Sequence, residues 1–81
     1  MAGYSLHAMA TFAQRFGRAV RQLREARGLS QQQAAAKAVV DRAYYWKIEK
    51  GEANPSLEVI GRIVKMLKVT AGELFAESDR Q

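Results

Sequence analysis

The chain has 81 residues, of which 48% are hydrophobic, and a formal net charge of +5, which is typical of one small globular domain. It contains no cysteine, which excludes disulfides and thiolate metal sites, and no apolar run approaches the roughly 20 residues that span a bilayer. Residues 1–50 contain nine Lys or Arg and three Asp or Glu, whereas residues 51–81 contain four and five, an asymmetry that suits a polyanion on one side of the fold.

The spacing of capping residues predicts five helices after an N-terminal arm at residues 1–10. The helices are predicted to follow the capping side chains Thr11, Ser30, Asp41, Ser56 and Thr70. Three of these residues are followed, at the spacing of a capping box, by Gln14, Gln33 and Glu73. Gly28 and Gly51 are suited to end helices 1 and 3 in left-handed backbone, and Pro55 predicts a loop before helix 4.

The predicted helices have apolar faces with a helical period. These faces consist of Phe12, Phe16, Ala19, Val20 and Leu23 in helix 1, Ala34, Ala35 and Ala38 in helix 2, Leu57, Ile60, Ile63, Val64 and Leu67 in helix 4, and Leu74 and Phe75 in helix 5. Because the strand signal is weak throughout, the sequence predicts an all-α domain over residues 11–76. A C-terminal tail is predicted at residues 77–81.

Helices 2 and 3 are short and closely spaced, which is the sequence form of a helix-turn-helix, a motif that inserts its second helix into the major groove of DNA. At about 100° per residue, Tyr45 and Ile48 share one face of helix 3. The opposite face carries Ala43, Trp46, Lys47 and Lys50, with Arg42 on its flank. The basic and aromatic character of this face favours its interpretation as a DNA-binding surface over that of an ordinary solvated surface.

Several kinds of chemistry have no residues to support them. The single histidine, His7, lies in the predicted arm, so neither a metal-ligand cluster nor a nucleophile with a histidine base is recognisable. The glycines form no phosphate-binding motif. We therefore expect no enzymatic activity, no metal and no cofactor. The N-terminus lacks the basic and apolar regions of a secretory signal, so we expect a cytoplasmic protein with no membrane contact.

Four motifs stand in a characteristic order along the chain. They are Leu29-Ser30-Gln31, Ile48-Glu49-Lys50-Gly51, Asn54-Pro55-Ser56-Leu57 and Leu74-Phe75. Together they resemble the XRE family, the helix-turn-helix domain of lambdoid phage repressors, over residues 12–76. Asp41-Arg42 followed by Tyr44 most resembles the stand-alone controller proteins of restriction-modification operons, which are dimers.

This resemblance implies a compact five-helix, lambda-repressor-like DNA-binding domain. It also implies a transcriptional regulator that binds a palindromic operator in double-stranded DNA as a homodimer. The implied base-contacting residues are Arg42, Ala43, Trp46 and Lys47, and the implied phosphate-contacting residues are Ser30, Gln31, Tyr44, Lys50 and Asn54. Arg24 and Glu49 match a structural ion pair between helices 1 and 3. Leu74 and Phe75, with exposed parts of helices 4 and 5, are candidates for the dimer interface, the alternative being that they close the monomer core.

Three residues depart from the family pattern. Val39 replaces the usual glycine of the turn, and because a β-branched residue disfavours positive φ, we expect a turn of different geometry. Ala34 replaces a leucine in helix 2, and this smaller contact could either loosen helix 2 or be filled by Tyr45 or by the neighbours of Trp46. Trp46 replaces a small residue on the outer face of helix 3, where it could pack on DNA sugars or mark a protein interface.

Two other functions are compatible with these residues. One is an antitoxin-type repressor, which binds DNA and also masks a toxin. The other is a protein-interaction module that has kept the fold and lost DNA binding, for which Val39 and Trp46 are the arguments. Binding of a protein partner, such as a toxin or RNA polymerase, is therefore compatible with the sequence.

Overall fold

The computed structural model describes residues 10–81, so nearly all of the predicted N-terminal arm, including His7, lies outside the described residues. The helices are α1 (Phe12–Ala26), α2 (Gln31–Ala38), α3 (Arg42–Lys50), α4 (Leu57–Leu67) and α5 (Ala71–Asp79). No strand occurs between residues 10 and 81, which agrees with the predicted all-α fold. In that range no helix has the length and apolar character needed to cross a membrane.

The helix starts follow the predicted caps. The side chains of all five capping residues accept a backbone N–H of the first turn: Thr11, Ser30, Asp41, Ser56 and Thr70. The capping boxes with Gln14, Gln33 and Glu73 are also formed. Each box satisfies two backbone N–H groups that have no partner within the helix, so these boundaries are set by local sequence.

The core lies between α1, α3, α4 and α5, with α2 packed on α3 and α4. Its completely buried members are Ala19, Val20, Ala34, Tyr45, Ile63, Leu67 and Leu74. The three predicted alanines of α2 are all buried, and their small side chains let α2 approach its neighbours closely. Tyr45 is buried in the same cluster.

A close approach of α1 to α3 depends on Gly17. A Cβ atom at this position would meet the backbone carbonyl oxygens of Ile48 and Glu49, the latter at 2.5 Å. The contact is with backbone atoms, which cannot rotate away as a side chain would. Any larger residue at Gly17 therefore pushes α1 away from α3.

Two predictions about the edges of the fold differ from the structure. Leu57 was expected on the buried face of α4 and is 86% exposed, because it is the first residue of that helix and no neighbouring helix covers it. Met66, which the predicted face omitted, is buried near the other end of α4. At the C-terminus, α5 continues past residue 76 to Asp79, and Ser78 is completely buried.

The turn between α2 and α3 contradicts the expectation of a different geometry at Val39. Val39 has φ 56° and ψ 50°, in the left-handed region. The N–H of Val40 donates to the carbonyl of Ala35 at 2.9 Å, a bond that closes the end of α2 and requires the residue before Val40 to be left-handed. Val40 also packs against the core, so tertiary packing imposes on Val39 a backbone that its side chain disfavours.

We expect Val39→Gly to stabilise the protein. The Val39 side chain is 74% exposed, so its removal costs little packing, and glycine relieves a left-handed strain of about 1–2 kcal/mol at a smaller entropic cost. The free energy of unfolding, measured by urea denaturation, should rise by about 1 kcal/mol. Ala36→Gly, at an exposed helical position of α2, is the matched control and should instead lower it by about 0.5–1 kcal/mol. A loss of stability in both variants would contradict the strain at Val39.

Candidate nucleic-acid interface

The helix-turn-helix unit consists of α2, the turn at Val39 and Val40, and α3. Asp41 begins α3 by accepting the N–H of Tyr44 at 3.1 Å, and Gly51 ends it in left-handed backbone. The unit is therefore a pair of short helices whose relative orientation is fixed by a two-residue turn and by a shared core.

The faces of α3 are divided as the helical wheel predicts. Tyr45, Ile48 and Glu49 are buried. The outward residues are exposed: Arg42, Ala43, Trp46, Lys47 and Lys50. Each predicted base-contacting residue thus lies on the solvent side of α3, whereas its contact with DNA stays a prediction.

The N-terminal half of this face borders a shallow depression. Gln31 of α2 and Asp41, Arg42, Ala43 and Trp46 of α3 line it. Its rim therefore combines an amide, a guanidinium and a carboxylate with the apolar surfaces of an alanine and an indole. Hydrogen-bonding and apolar groups side by side are what a base-pair edge with a methyl group requires for recognition.

The C-terminal half of the face is organised around Lys50. Its Nζ lies 3.9 Å from the centre of the Trp46 ring and 3.2 Å from Oε2 of Glu52. The first contact is a cation–π interaction one helical turn apart, and it orients the indole of Trp46. Glu52 was not identified from the sequence, because an acidic residue after the helix end gives no signal of its own.

The residues expected to contact phosphate divide into free and engaged groups. Asn54 is exposed and Tyr44 is half-buried. Ser30 accepts the N–H of Gln33 at 3.0 Å, and its hydroxyl proton stays available to an anion. The side chain of Gln31 instead donates to Glu49 at 3.0 Å, so this residue already has a structural partner.

The predicted ion pair between Arg24 and Glu49 is present and buried. Arg24 Nε donates to Glu49 Oε2 at 2.7 Å and Arg24 Nη2 to Oε1 at 3.1 Å. The third nitrogen, Nη1, donates to the carbonyl of Leu29 at 2.7 Å. The two residues are 8% and 7% exposed, so Arg24 is a structural residue and is not positioned to contact phosphate.

The ionisation of this network is set by burial and hydrogen bonding. Burial alone would raise the pKa of Glu49, but hydrogen bonds from Arg24 and Gln31 and the positive charge of Arg24 outweigh it and hold that pKa below its ordinary value. Hydrogen bonding to Glu49 raises the pKa of Arg24. Burial raises the pKa of Tyr45, and the Glu49 carboxylate raises it further. All three groups therefore keep the charge states of an ion pair beside a neutral phenol.

The two candidates for the dimer interface have different environments. Leu74 is completely buried, so it closes the monomer core, the alternative that the sequence left open, and its side chain cannot reach a second copy. Phe75 is half-buried and stacks on Phe12 with ring centres 6.0 Å apart. Phe12 and Phe75 line an apolar groove together with Phe16, Ala53, Pro55 and Ile60.

Among residues 10–81 no three His, Asp or Glu side chains are grouped so that they could hold a metal ion. A second group of cations, Lys37, Arg62, Lys65 and Lys68, lies around the end of α2 and α4. The outward face of α3 differs from it in combining cations with the exposed indole of Trp46 on one helix.

Comparison with known proteins supports this geometry. A helix-turn-helix domain family matches residues 15–77. Control protein C.MunI from a Mycoplasma species is 40% identical over 68 residues, covering 83% of this chain and 92% of its own. The solved restriction-modification controller protein C.AhdI from Aeromonas hydrophila is 38% identical, with a TM-score of 0.76 over 78% of this chain and 96% of its own. The fold also matches the C.Esp1396I tetramer in complex with its natural 35 base-pair operator, at 22% identity and a TM-score of 0.79, over 88% of this chain and 93% of that one.

The buried ion pair predicts a pH-dependent stability defect in Arg24→Met. This variant leaves Glu49 buried without its cation, which should lower the free energy of unfolding at neutral pH by about 3–5 kcal/mol. Without Arg24, burial becomes the dominant influence and raises the pKa of Glu49, so protonation relieves the defect. The defect should therefore shrink as pH falls towards the ordinary glutamate value of 4.5.

In the wild type, by contrast, the stability contributed by Glu49 decreases as pH falls. Because the pKa of Glu49 is lowered in the folded state, its contribution is complete above the ordinary glutamate pKa and is lost as pH falls through the lowered value. Urea denaturation over a pH series measures both trends. Arg21→Met is the control, since Arg21 pairs with Glu25 at the surface of α1 and such pairs contribute about 0–1 kcal/mol. A pH-independent defect in Arg24→Met would refute the assigned role of Glu49.

Proposed function

Because this chain belongs to the helix-turn-helix family and, within it, to the restriction-modification controller proteins, we propose that it is a transcriptional regulator that binds double-stranded DNA. The proposal rests above all on one observation, which is that α3 presents Arg42, Trp46, Lys47 and Lys50 to solvent from a helix anchored on its other side. Proteins of this family act as regulators rather than as catalysts, and we assign this chain no reaction.

DNA recognition would use two kinds of contact. Arg42 and Lys47 are exposed cations on the outward face of α3 and can donate to the acceptor atoms of guanine in the major groove, while Ala43 and Trp46 can pack on a thymine methyl group. We assign Ser30, Tyr44, Lys50 and Asn54 to contacts with sugar and phosphate, which would set the register of the protein on the duplex. We assign Gln31 to this outer group only through its backbone N–H, because its side chain donates to Glu49.

Binding of two copies to a palindromic operator follows from the size of the domain. A single helix-turn-helix covers one half-site, and specific binding generally joins two half-sites about 34 Å apart. We propose that the dimer forms through the groove lined by Phe12, Ile60 and Phe75, extended by Leu57, which lies one turn before Ile60 on α4 and is 86% exposed. A contiguous apolar surface of this kind, rather than a single exposed leucine, is typical of a protein interface.

The direct test is binding of the purified protein to a labelled fragment of the DNA upstream of its own gene, with random-sequence DNA as competitor, at two salt concentrations. A regulator should form a specific complex with two protomers per site that weakens as salt increases. A complex that random DNA competes away equally well would exclude sequence-specific regulation at that fragment, and the absence of any complex would favour a protein-interaction module.

We expect Arg42→Ala and Lys47→Ala to reduce specific binding selectively. Each variant removes hydrogen bonds to base edges, so the operator complex should weaken by about 1–3 kcal/mol while binding to random DNA changes little. Lys65→Ala, at an exposed position near the end of α4, removes the same charge away from α3 and is the control. Competition titrations measure both affinities. Equal losses of affinity for the two DNAs would show that Arg42 and Lys47 contact phosphates and not bases.

We expect Leu57→Glu to dissociate the dimer without unfolding the domain. Leu57 makes little contact within the monomer, and a carboxylate in the first turn of a helix interacts favourably with the helix dipole. Sedimentation should show monomers where the wild type shows dimers, with an unchanged circular dichroism spectrum. Ala36→Glu introduces the same charge at an exposed position of α2 and should leave the dimer intact. Dimers of the Leu57 variant would place the interface elsewhere.

A further inference from the structure

Glu52 is held next to the recognition helix by the way α3 ends. Gly51 adopts left-handed backbone at φ 76°, and the N–H of Glu52 donates to the carbonyl of Lys47 at 2.9 Å. This bond turns the chain back over the last turn of α3. The Glu52 carboxylate is thereby placed 3.2 Å from the ammonium group of Lys50.

Lys50 differs in this respect from the other cations of the outward face. Its ammonium group lies between the Glu52 carboxylate and the face of the Trp46 ring. Arg42 and Lys47 take part in none of the ion pairs formed between residues 10 and 81. One cation of the face is therefore neutralised by the protein itself, while the other two are available to an external anion.

We propose that Glu52 pairs with Lys50 in the free protein, in the place that a DNA phosphate would take, and so lowers the affinity for DNA. The inference rests on the proposed function, since it assumes that α3 docks on DNA. When a phosphate binds Lys50, it replaces one anion with another, and the released carboxylate is left next to the polyanion. Glu52 thus opposes binding in two ways, through the lost ion pair and through repulsion.

The size and character of the effect follow from exposure. The side chains of Lys50 and Glu52 are 41% and 55% exposed, and an ion pair at such positions changes an equilibrium about two- to fivefold. Phosphates are the same at every base step, so the effect is independent of sequence. Glu52 therefore sets the overall strength of binding and leaves the preference among sequences to the residues that face the bases.

The test compares Glu52→Gln with Glu77→Gln on a labelled random-sequence duplex. Both variants raise the net charge by one with nearly isosteric side chains, but Glu77 lies on α5 and pairs with Arg80 just after that helix, and α5 packs mainly on α1 and α4. Glu52→Gln should bind about two- to fivefold more tightly than the Glu77 variant at the same salt concentration.

A second comparison distinguishes the local pair from a general change in charge. Lys50→Ala should weaken binding more in the Glu52→Gln background than in the wild type, because only there is the ammonium group free before DNA arrives. Equal affinities of the Glu52 and Glu77 variants, or equal effects of Lys50→Ala in both backgrounds, would overturn the inference while leaving DNA binding intact. If the wild type binds neither random nor upstream DNA, the proposed function fails and the inference fails with it.

Discussion

The geometry of the outward face of α3 depends on the buried ion pair between Arg24 and Glu49. Burial of two charges is costly and is offset only when the hydrogen-bonding capacity of both groups is satisfied. Here the guanidinium bonds to both carboxylate oxygens and to the carbonyl of Leu29, and Gln31 donates to the same carboxylate. Helix α1, the start of α2 and the inner face of α3 thus share one network. Rotation of α3 would break several of these bonds at once.

This anchoring separates the structural side of α3 from its variable side. Gly17 lets the backbone of α1 touch the backbone of α3 near Ile48 and Glu49, which brings Arg24 within reach of its partner. Because the inner face carries the contacts that position α3, the outer face can accept a residue as large as Trp46 without disturbing the fold. The indole costs no core packing, and its orientation comes from Lys50. The unusual residue therefore leaves the fold unchanged.

Local patterns predicted the helix caps and faces, and the family resemblance supplied one long-range contact, the ion pair between Arg24 and Glu49. What the sequence missed depends on other contacts between distant segments. Helix caps could be located because Ser30 and its partner Gln33 are only three residues apart. Periodicity correctly separated the faces of α3, but it could not reveal that Leu57 lies where no other helix covers it. It also could not decide between core and interface for Leu74. At Val39 the local steric rule gave the wrong geometry, because packing of Val40 outweighs the strain of one residue. The roles of the base- and phosphate-contacting residues stay predictions.

The distribution of charge is less favourable to DNA than the sequence total indicates. The first 50 residues carry nine basic side chains. Two of them form ion pairs within the protein, because Arg24 pairs with Glu49 inside the fold and Lys50 pairs with Glu52 at its surface. Arg42 and Lys47 are then the outward cations of α3 without an internal ion pair. Affinity for a duplex rises with the number of phosphates that cations neutralise, so these two internal pairs reduce what α3 itself contributes. In the proposed dimer a second protomer would double that contribution, so dimerisation would influence affinity as well as the choice of site.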